Sequence, residues 1–216
     1  MTSLRRRLAT DTRYALLGLP VAVLHFAVAV AGIAAGVGGA VAFVGLPILA
    51  GAAAMARGLS DVERVALPEV LGRSVARPSY TAVPAGAGWF RRLMNPLASG
   101  QSWLDLLYGI IAFPFSLAAA VVTMVWWAGT IAGLMFPVYG WILARLPGTD
   151  GSLAALLGLG DGDLAFVGVN TAVGVLFALT LMPVVRAAAL VKASLAQAML
   201  TRASYAPAGV IGLTSG

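Results

Sequence analysis

Cysteine is absent and histidine occurs once in 216 residues. Without cysteine there are no disulfides, no thiolate chemistry and no Cys-based metal centre. A single histidine cannot build a metal site, and no carboxylate falls within the apolar stretches to complete one. Charge is scarce as well, at 10% of the chain. Tyr14 to Ala56 and Leu106 to Ala144 contain no Asp, Glu, Lys or Arg, and Leu164 to Val185 is a third uncharged stretch. Nucleophile–base sets, HExxH and Gly-rich phosphate loops are missing, as are paired acids inside the apolar runs. No enzymatic activity and no cofactor is therefore expected.

What fills the space is apolar: 60% hydrophobic residues and a mean hydropathy of +0.94. A soluble chain of this length needs far more polar surface. A hydrocarbon core of roughly 30 Å takes about 20 apolar residues in helical form, so each of the two longer runs is too long for one ordinary span. The composition implies an all-α, polytopic integral membrane protein, with the lipid bilayer as its first partner. The net charge of +6 then reads as basic residues marking the cytoplasmic face. No basic helix stands apart from the spans to suggest nucleic acid. Arg5, Arg6 and Arg7 before an apolar run resemble the start of a secretory signal, but the run far exceeds the 7–15 residues of such a signal, so an uncleaved first span is expected.

The first run folds most economically as a hairpin. Gly32, Gly36, Gly38 and Gly39 sit at its middle, where a tight turn needs residues tolerant of positive φ. The expected organisation is a basic N-terminus over 1–13, a first hairpin over 14–57 and a cytoplasmic linker over 58–102. A second hairpin over 103–185 follows, with an outer loop at 130–163, and then a cytoplasmic helical tail over 186–216. Ser60-Asp-Val-Glu63 fits a capping box, and a helix running straight through it fits equally. Trp89-Phe90-Arg91-Arg92 reads as a headgroup-level segment, aromatics in the interface and arginines on anionic lipid. Ser102-Trp-Leu-Asp105 reads as a helix start, a Ser cap followed by an acid in the first turn.

Charge asymmetry sets the number of crossings. With four spans and both termini inside, every basic residue but Arg145 lies on the cytoplasmic side, the orientation that basic bias favours. Trp126 and Trp127 then fall at the outer interface, where an aromatic belt belongs. Ile131 to Leu143 would lie along or dip into the outer face. A plasma-membrane location follows, multi-pass, and single cysteines introduced at Ser3, Ser74, Ser152 and Ser215 would report the topology, with only the Ser152 site expected to react with an impermeant maleimide.

Tyr14-Ala-Leu-Leu-Gly-Leu-Pro20 matches Tyr108-Gly-Ile-Ile-Ala-Phe-Pro114 in spacing, and Leu46-Pro47 through Arg57 resembles Met182-Pro183 through Lys192. Each half reads Tyr, Pro, span, span, Pro, basic helix, an internal repeat of the kind common in membrane folds. If the halves are equivalent, Tyr14 and Tyr108 enter from the same side as parallel repeats. Pro20, Pro47, Pro114 and Pro183 shape helix ends or kinks. His25 is an ionisable side chain deep in the first span. It is either a functional group, as intramembrane ionisable residues often are, or a neutral imidazole bonded to a backbone carbonyl. Gly32-Ile-Ala-Ala-Gly36 is a small-residue packing motif suited to contact within the hairpin or to a homo-oligomer.

The same residues carry a family resemblance. Thr12-Arg13-Tyr14 through Pro20, Gly45-Leu-Pro47, Ala56-Arg-Gly-Leu59, Trp103 through Tyr108 and Phe113-Pro114 resemble the sensor domain at the N-terminus of actinobacterial histidine kinases, over about Asp11 to Ser204. The resemblance implies two membrane hairpins and a role in two-component signal transduction. Ala112 departs from it, since the family often carries a basic residue there. No kinase unit or ATP-binding segment occurs in these 216 residues, so they are not expected to phosphorylate themselves. The expected function is a non-catalytic membrane sensor that relays a membrane or envelope signal to a separate histidine kinase or regulator. The rival expectation is an accessory subunit of a transporter or exporter, such as an ABC transporter. Against it, the spans lack the polar lining of a substrate pathway.

Overall fold

The computed structural model describes residues 2–39, 44–76, 78, 80–84, 86–145, 153–160 and 162–201. Among them the regular structure is helical throughout: α1 (Thr2–Gly38), α2 (Gly45–Leu71), α3 (Trp89–Met94), a 3-10 turn (Asn95–Ala98), α4 (Gly100–Leu143), α5 (Leu153–Leu156) and α6 (Asp163–Leu200). Three helical stretches are long and apolar enough to cross a membrane: Leu4–Gly38, Gly100–Leu143 and Asp163–Leu200. A fourth crossing would rest on the expected second span from about residue 40 to Arg57, whose first residues, 40–43, lie outside the described ones.

The helices are longer than the apolar runs that nucleate them. α4 has 44 residues, which at 1.5 Å per residue is about 66 Å, over twice the hydrocarbon thickness. The expectation of a separate interfacial or dipping segment at 131–143 is corrected by this. Ala, Leu, Met and Trp favour helix and Gly129, Gly133 and Gly140 are too isolated to end it, so the chain continues as helix to Leu143. α6 likewise joins the expected fourth span to the expected tail without a break, Pro183 lying inside it. α2 runs straight through Ser60 and Glu63, so no capping box forms there. α4 begins at Gly100, two residues before the expected Ser102 start.

The described residues form two compact units, one of residues up to Leu16 with Leu117–Ala189, the other of Leu17–Ser116 with residues from Leu190 on. In the first, α4 and α6 pack antiparallel. Trp126 Nε1 donates to Thr180 Oγ1 at 3.1 Å and Phe136 meets Phe166 edge-on at 5.5 Å. Between these contacts Gly133 and Gly174 bring the two backbones together, and a Cβ on either would strike the other's main chain. Such close approach supplies the dispersion contact that holds helices together where apolar burial drives nothing. Replacing Gly174 by Leu is expected to cost about 1–3 kcal/mol through overpacking. Gly168→Ala, with open space around its Cβ position, is the matched control; unfolding of both in detergent makes the comparison.

The start of α1 belongs to the same unit. Asp11 pairs with Arg186 NH1 at 2.8 Å, and Trp127 Nε1 donates to Thr12 Oγ1 at 3.2 Å. An outer-belt position for Trp127 and a cytoplasmic place for residues 1–13 exclude one another, because Trp127 bonds Thr12 and no bilayer can separate two groups at hydrogen-bond distance.

In the second unit α1 and α2 pack as an antiparallel pair, Gly32 against Ala52 and Gly36 against Leu49. Ala29, Leu49, Ala52, Ala53, Ala56 and Leu106 form its apolar core. α4 joins this core antiparallel to α1: Leu106 packs near Ala29, and Gly109 lies against His25. The parallel-repeat expectation fails on this geometry, because equivalent hairpins entering from one side would run their first helices in the same direction. Tyr14…Pro20 and Tyr108…Pro114 therefore do not superpose as parallel repeats.

Candidate functional site

The second unit buries an unusual concentration of charge. α2 turns Ser60, Glu63, Arg64, Leu67 and Val70 inward, the i, i+3, i+4, i+7 spacing of one helix face. α4 contributes Ser102, Asp105 and Tyr108 from its first turns, and α6 contributes Lys192, Ala193, Ala196 and Leu200. Asp105 is 0% exposed and Lys192 1%. Unpaired charges at that burial cost several kcal/mol each, so the sequence must supply partners.

It does. Lys192 Nζ lies 3.2 Å from Glu63 Oε1, and Arg64 NH2 lies 2.6 Å from Asp105 Oδ1. The Arg64 fork is fully used: Nε donates to the Leu200 carbonyl at 3.0 Å and NH1 to Asp61 Oδ1 at 2.7 Å. Asp105 also accepts from the Tyr80 hydroxyl at 2.7 Å and from Gln101 Nε2 at 3.2 Å, while Gln101 Nε2 reaches the Met199 carbonyl at 3.2 Å. Arg73 NH2 donates to Gln197 Oε1 at 2.9 Å at the exposed edge. The last turns of α6 are therefore held on α2 and α4, with Arg64 and Gln101 donating to the Leu200 and Met199 carbonyls, which have no helical partner of their own.

Arg57 extends the network to the linker. Its Nε donates to Ser102 Oγ at 2.7 Å, its NH2 to the Pro96 carbonyl at 3.0 Å, and its guanidinium lies 4.3 Å from the Tyr80 ring centroid. Planar guanidinium over an aromatic face is a favourable arrangement at such a site. Burial alone would lower the Arg64 pKa, but the Asp105 carboxylate and the bond to Asp61 outweigh it and hold it above its ordinary value. Burial, and then the hydrogen bond to Asp105, push the Tyr80 phenol above its ordinary value. Tyr80 thus remains a protonated donor to Asp105.

Lys192 reaches Glu63 by passing over α1. Its ammonium lies where a side chain on Gly18 would begin, so glycine there is a steric requirement of the ion pair.

His25 lies against this cluster. It is 2% exposed and meets the Tyr108 ring edge-on at 5.7 Å. Together with Glu63, Tyr108, Ala112 and Ser116 it lines a small cavity with room for about one water. Among the described residues, His25 Nε2 and Ser116 Oγ have no hydrogen-bond partner. Ala112, the position lacking the expected basic residue, lines the same cavity.

Of the residues singled out from sequence, the structure brings together His25 and Tyr108. Tyr14 is buried in the other unit. Pro47 occupies the first turn of α2, and Pro20, Pro114 and Pro183 lie inside α1, α4 and α6. His25 shares its burial in span-length helices with the ionisable side chains of Asp11, Asp105 and Lys192. The one signal that could have found the cluster is the spacing of Ser60, Glu63, Arg64 and Leu67, polar on a face that periodicity assigns to the interior.

The arrangement joins α2, α4 and α6 through ion pairs and hydrogen bonds. The family model described as "Putative sensor" matches residues 14–200. The chain belongs to this sensor family. No curated protein and no solved structure matches the chain. The sensor-family match takes in every member of the cluster, from His25 on α1 to Leu200 at the end of α6.

Proposed function

We propose that this chain is a non-catalytic membrane sensor that relays a membrane or envelope signal to a cytoplasmic or membrane partner, a histidine kinase or regulator in the first instance. The observation that carries this reading is the seating of α6's last turns on α2 and α4 by buried charge. A relay needs an element with two discrete arrangements. A helix end held by paired charges is such an element, because partly broken pairs inside a protein are costly and favour fully closed or fully open states. The signal acts by changing the packing of α1 against α2, which shifts Glu63 relative to Lys192 and frees or seats the end of α6.

The test is capture with chemical cross-linking in native membranes, followed by identification of what is bound. The expected result is a kinase or regulator that is captured by the natural chain and lost with Lys192→Met. Capture of no signalling protein in repeated preparations contradicts the relay.

A further inference from the structure

The linker between α2 and α4 carries a surface that the charge cluster does not use. α3 has no buried residue. Trp89 is 77% exposed, Phe90 53% and Leu93 39%, while Arg91 and Arg92 are exposed beside them. Among the described residues neither arginine has an ion-pair partner, and Trp89 and Phe90 contact each other edge-on at 5.8 Å. Six residues do not form a stable helix in water by propensity; α3 and the 3-10 turn that follows it both lie against α2, and the turn's Pro96 carbonyl accepts from Arg57.

We infer that α3 is a docking site for anionic lipid headgroups and that Arg57 reports its state to the buried charge cluster. This rests on the sensor reading above and names the chemistry of its input. Three observations favour a lipid surface over other occupants. Exposed Trp and Phe suit the interfacial zone, where an aromatic ring is half apolar and half wet. Two arginines without acidic partners complement phosphate, which a guanidinium grips bidentately. The chain also carries three helices able to cross a bilayer, so a membrane surface is at hand without any further component.

The coupling route is short. Docking pulls on the 3-10 turn, whose Pro96 carbonyl is bonded to Arg57. Arg57 bonds Ser102 on α4 and stacks on Tyr80, and Tyr80 donates to Asp105. Asp105 in turn holds Arg64, whose Nε bonds the last carbonyl of α6. Every link is a direct contact within one compact unit, so lipid at α3 and the seating of α6 bias one network.

The experiment uses the full chain, which offers a cysteine-free background. Gly88→Cys places a nitroxide label next to α3, at a position with ordinary φ and open space. The protein is reconstituted in phosphatidylcholine vesicles with and without phosphatidylglycerol. Spin-label mobility reads docking, and hydrogen exchange over residues 192–200 reads coupling. The expected result is an immobilised, lipid-accessible label and slowed exchange when phosphatidylglycerol is present. Each arginine is worth roughly fivefold at an anionic surface, so Arg91→Glu with Arg92→Glu is expected to lower the docked-to-free ratio by more than about 30-fold. Arg57→Gln is expected to leave docking intact while abolishing the exchange response.

A label equally mobile in both vesicle types overturns the lipid assignment and leaves an acidic protein as the occupant. Docking without any change in α6 exchange overturns the coupling. Partner capture from native membranes is read separately, so failure at α3 and failure of the relay are distinguishable.

Discussion

Lys192→Met is expected to destabilise the protein by about 3–5 kcal/mol, because it leaves the Glu63 carboxylate buried without its counter-ion. Glu63 is 6% exposed and Lys192 1%, so neither charge can turn to water without moving a helix. In a chain of this size the loss lowers the melting temperature in detergent by roughly 10–15 °C. Removing both charges, as Glu63→Met with Lys192→Met, is expected to recover most of that loss, because buried pairs and apolar replacements of similar volume are often equivalent. What the double variant loses is the positional specificity of α6 on α2. The double-mutant cycle separates these contributions, since the two residues are in direct contact and their effects must be non-additive. Additive losses would mean that the pair is not formed.

Asp105→Asn is expected to cost about 3 kcal/mol, with a different signature. The substitution keeps the shape but removes the charge that faces Arg64, Tyr80 and Gln101 together. Because Tyr80 bonds Asp105 from the linker, amide exchange over residues 80–84 should rise along with exchange at the end of α6. Asp61 provides the contrast. It binds the same Arg64, but its side chain is 65% exposed. An exposed ion pair contributes about 0–1 kcal/mol, so Asp61→Asn is expected to shift stability within that range. Equal losses for Asp61→Asn and Asp105→Asn, measured by unfolding in the same detergent, would refute the assignment of the buried centre to Asp105.

Much of the fold was legible from local features. Long uncharged runs identify membrane-capable helices because length and apolarity act residue by residue. The glycines from Gly32 to Gly39 were expected to form a turn through positive φ, but none of them takes one: Gly32 and Gly36 lie inside α1, where they let α2 approach closely at Ala52 and Leu49. Helix ends were less legible. Ser60 and Glu63 have the spacing of a cap, yet α2 passes through them because their side chains find partners or burial against other helices. The candidate site was the least legible. Arg64 and Lys192 resemble charges that set orientation, and Asp105 resembles an acid in a first helical turn. Their pairing joins residues as far apart as Arg64 and Leu200, separated by 136 positions. Nothing local distinguishes a lysine facing headgroups from one reaching across Gly18 to a buried glutamate. The direction of α4 beside α1 was hidden in the same way, since an apolar helix reads alike from either end.

Paired buried charges seat the end of α6 on α2. The most direct measurement is the distance distribution between nitroxides on Val65→Cys and Ala198→Cys, exposed positions on α2 and α6 in a chain with no other cysteine. The prediction is one narrow distance for the labelled parent, a broadened distribution with Lys192→Met, and a narrow one again when the charges are exchanged as Glu63→Lys with Lys192→Glu. A distribution that stays narrow and unshifted with Lys192→Met would contradict the claim, because α6 would then be seated by something other than its charge.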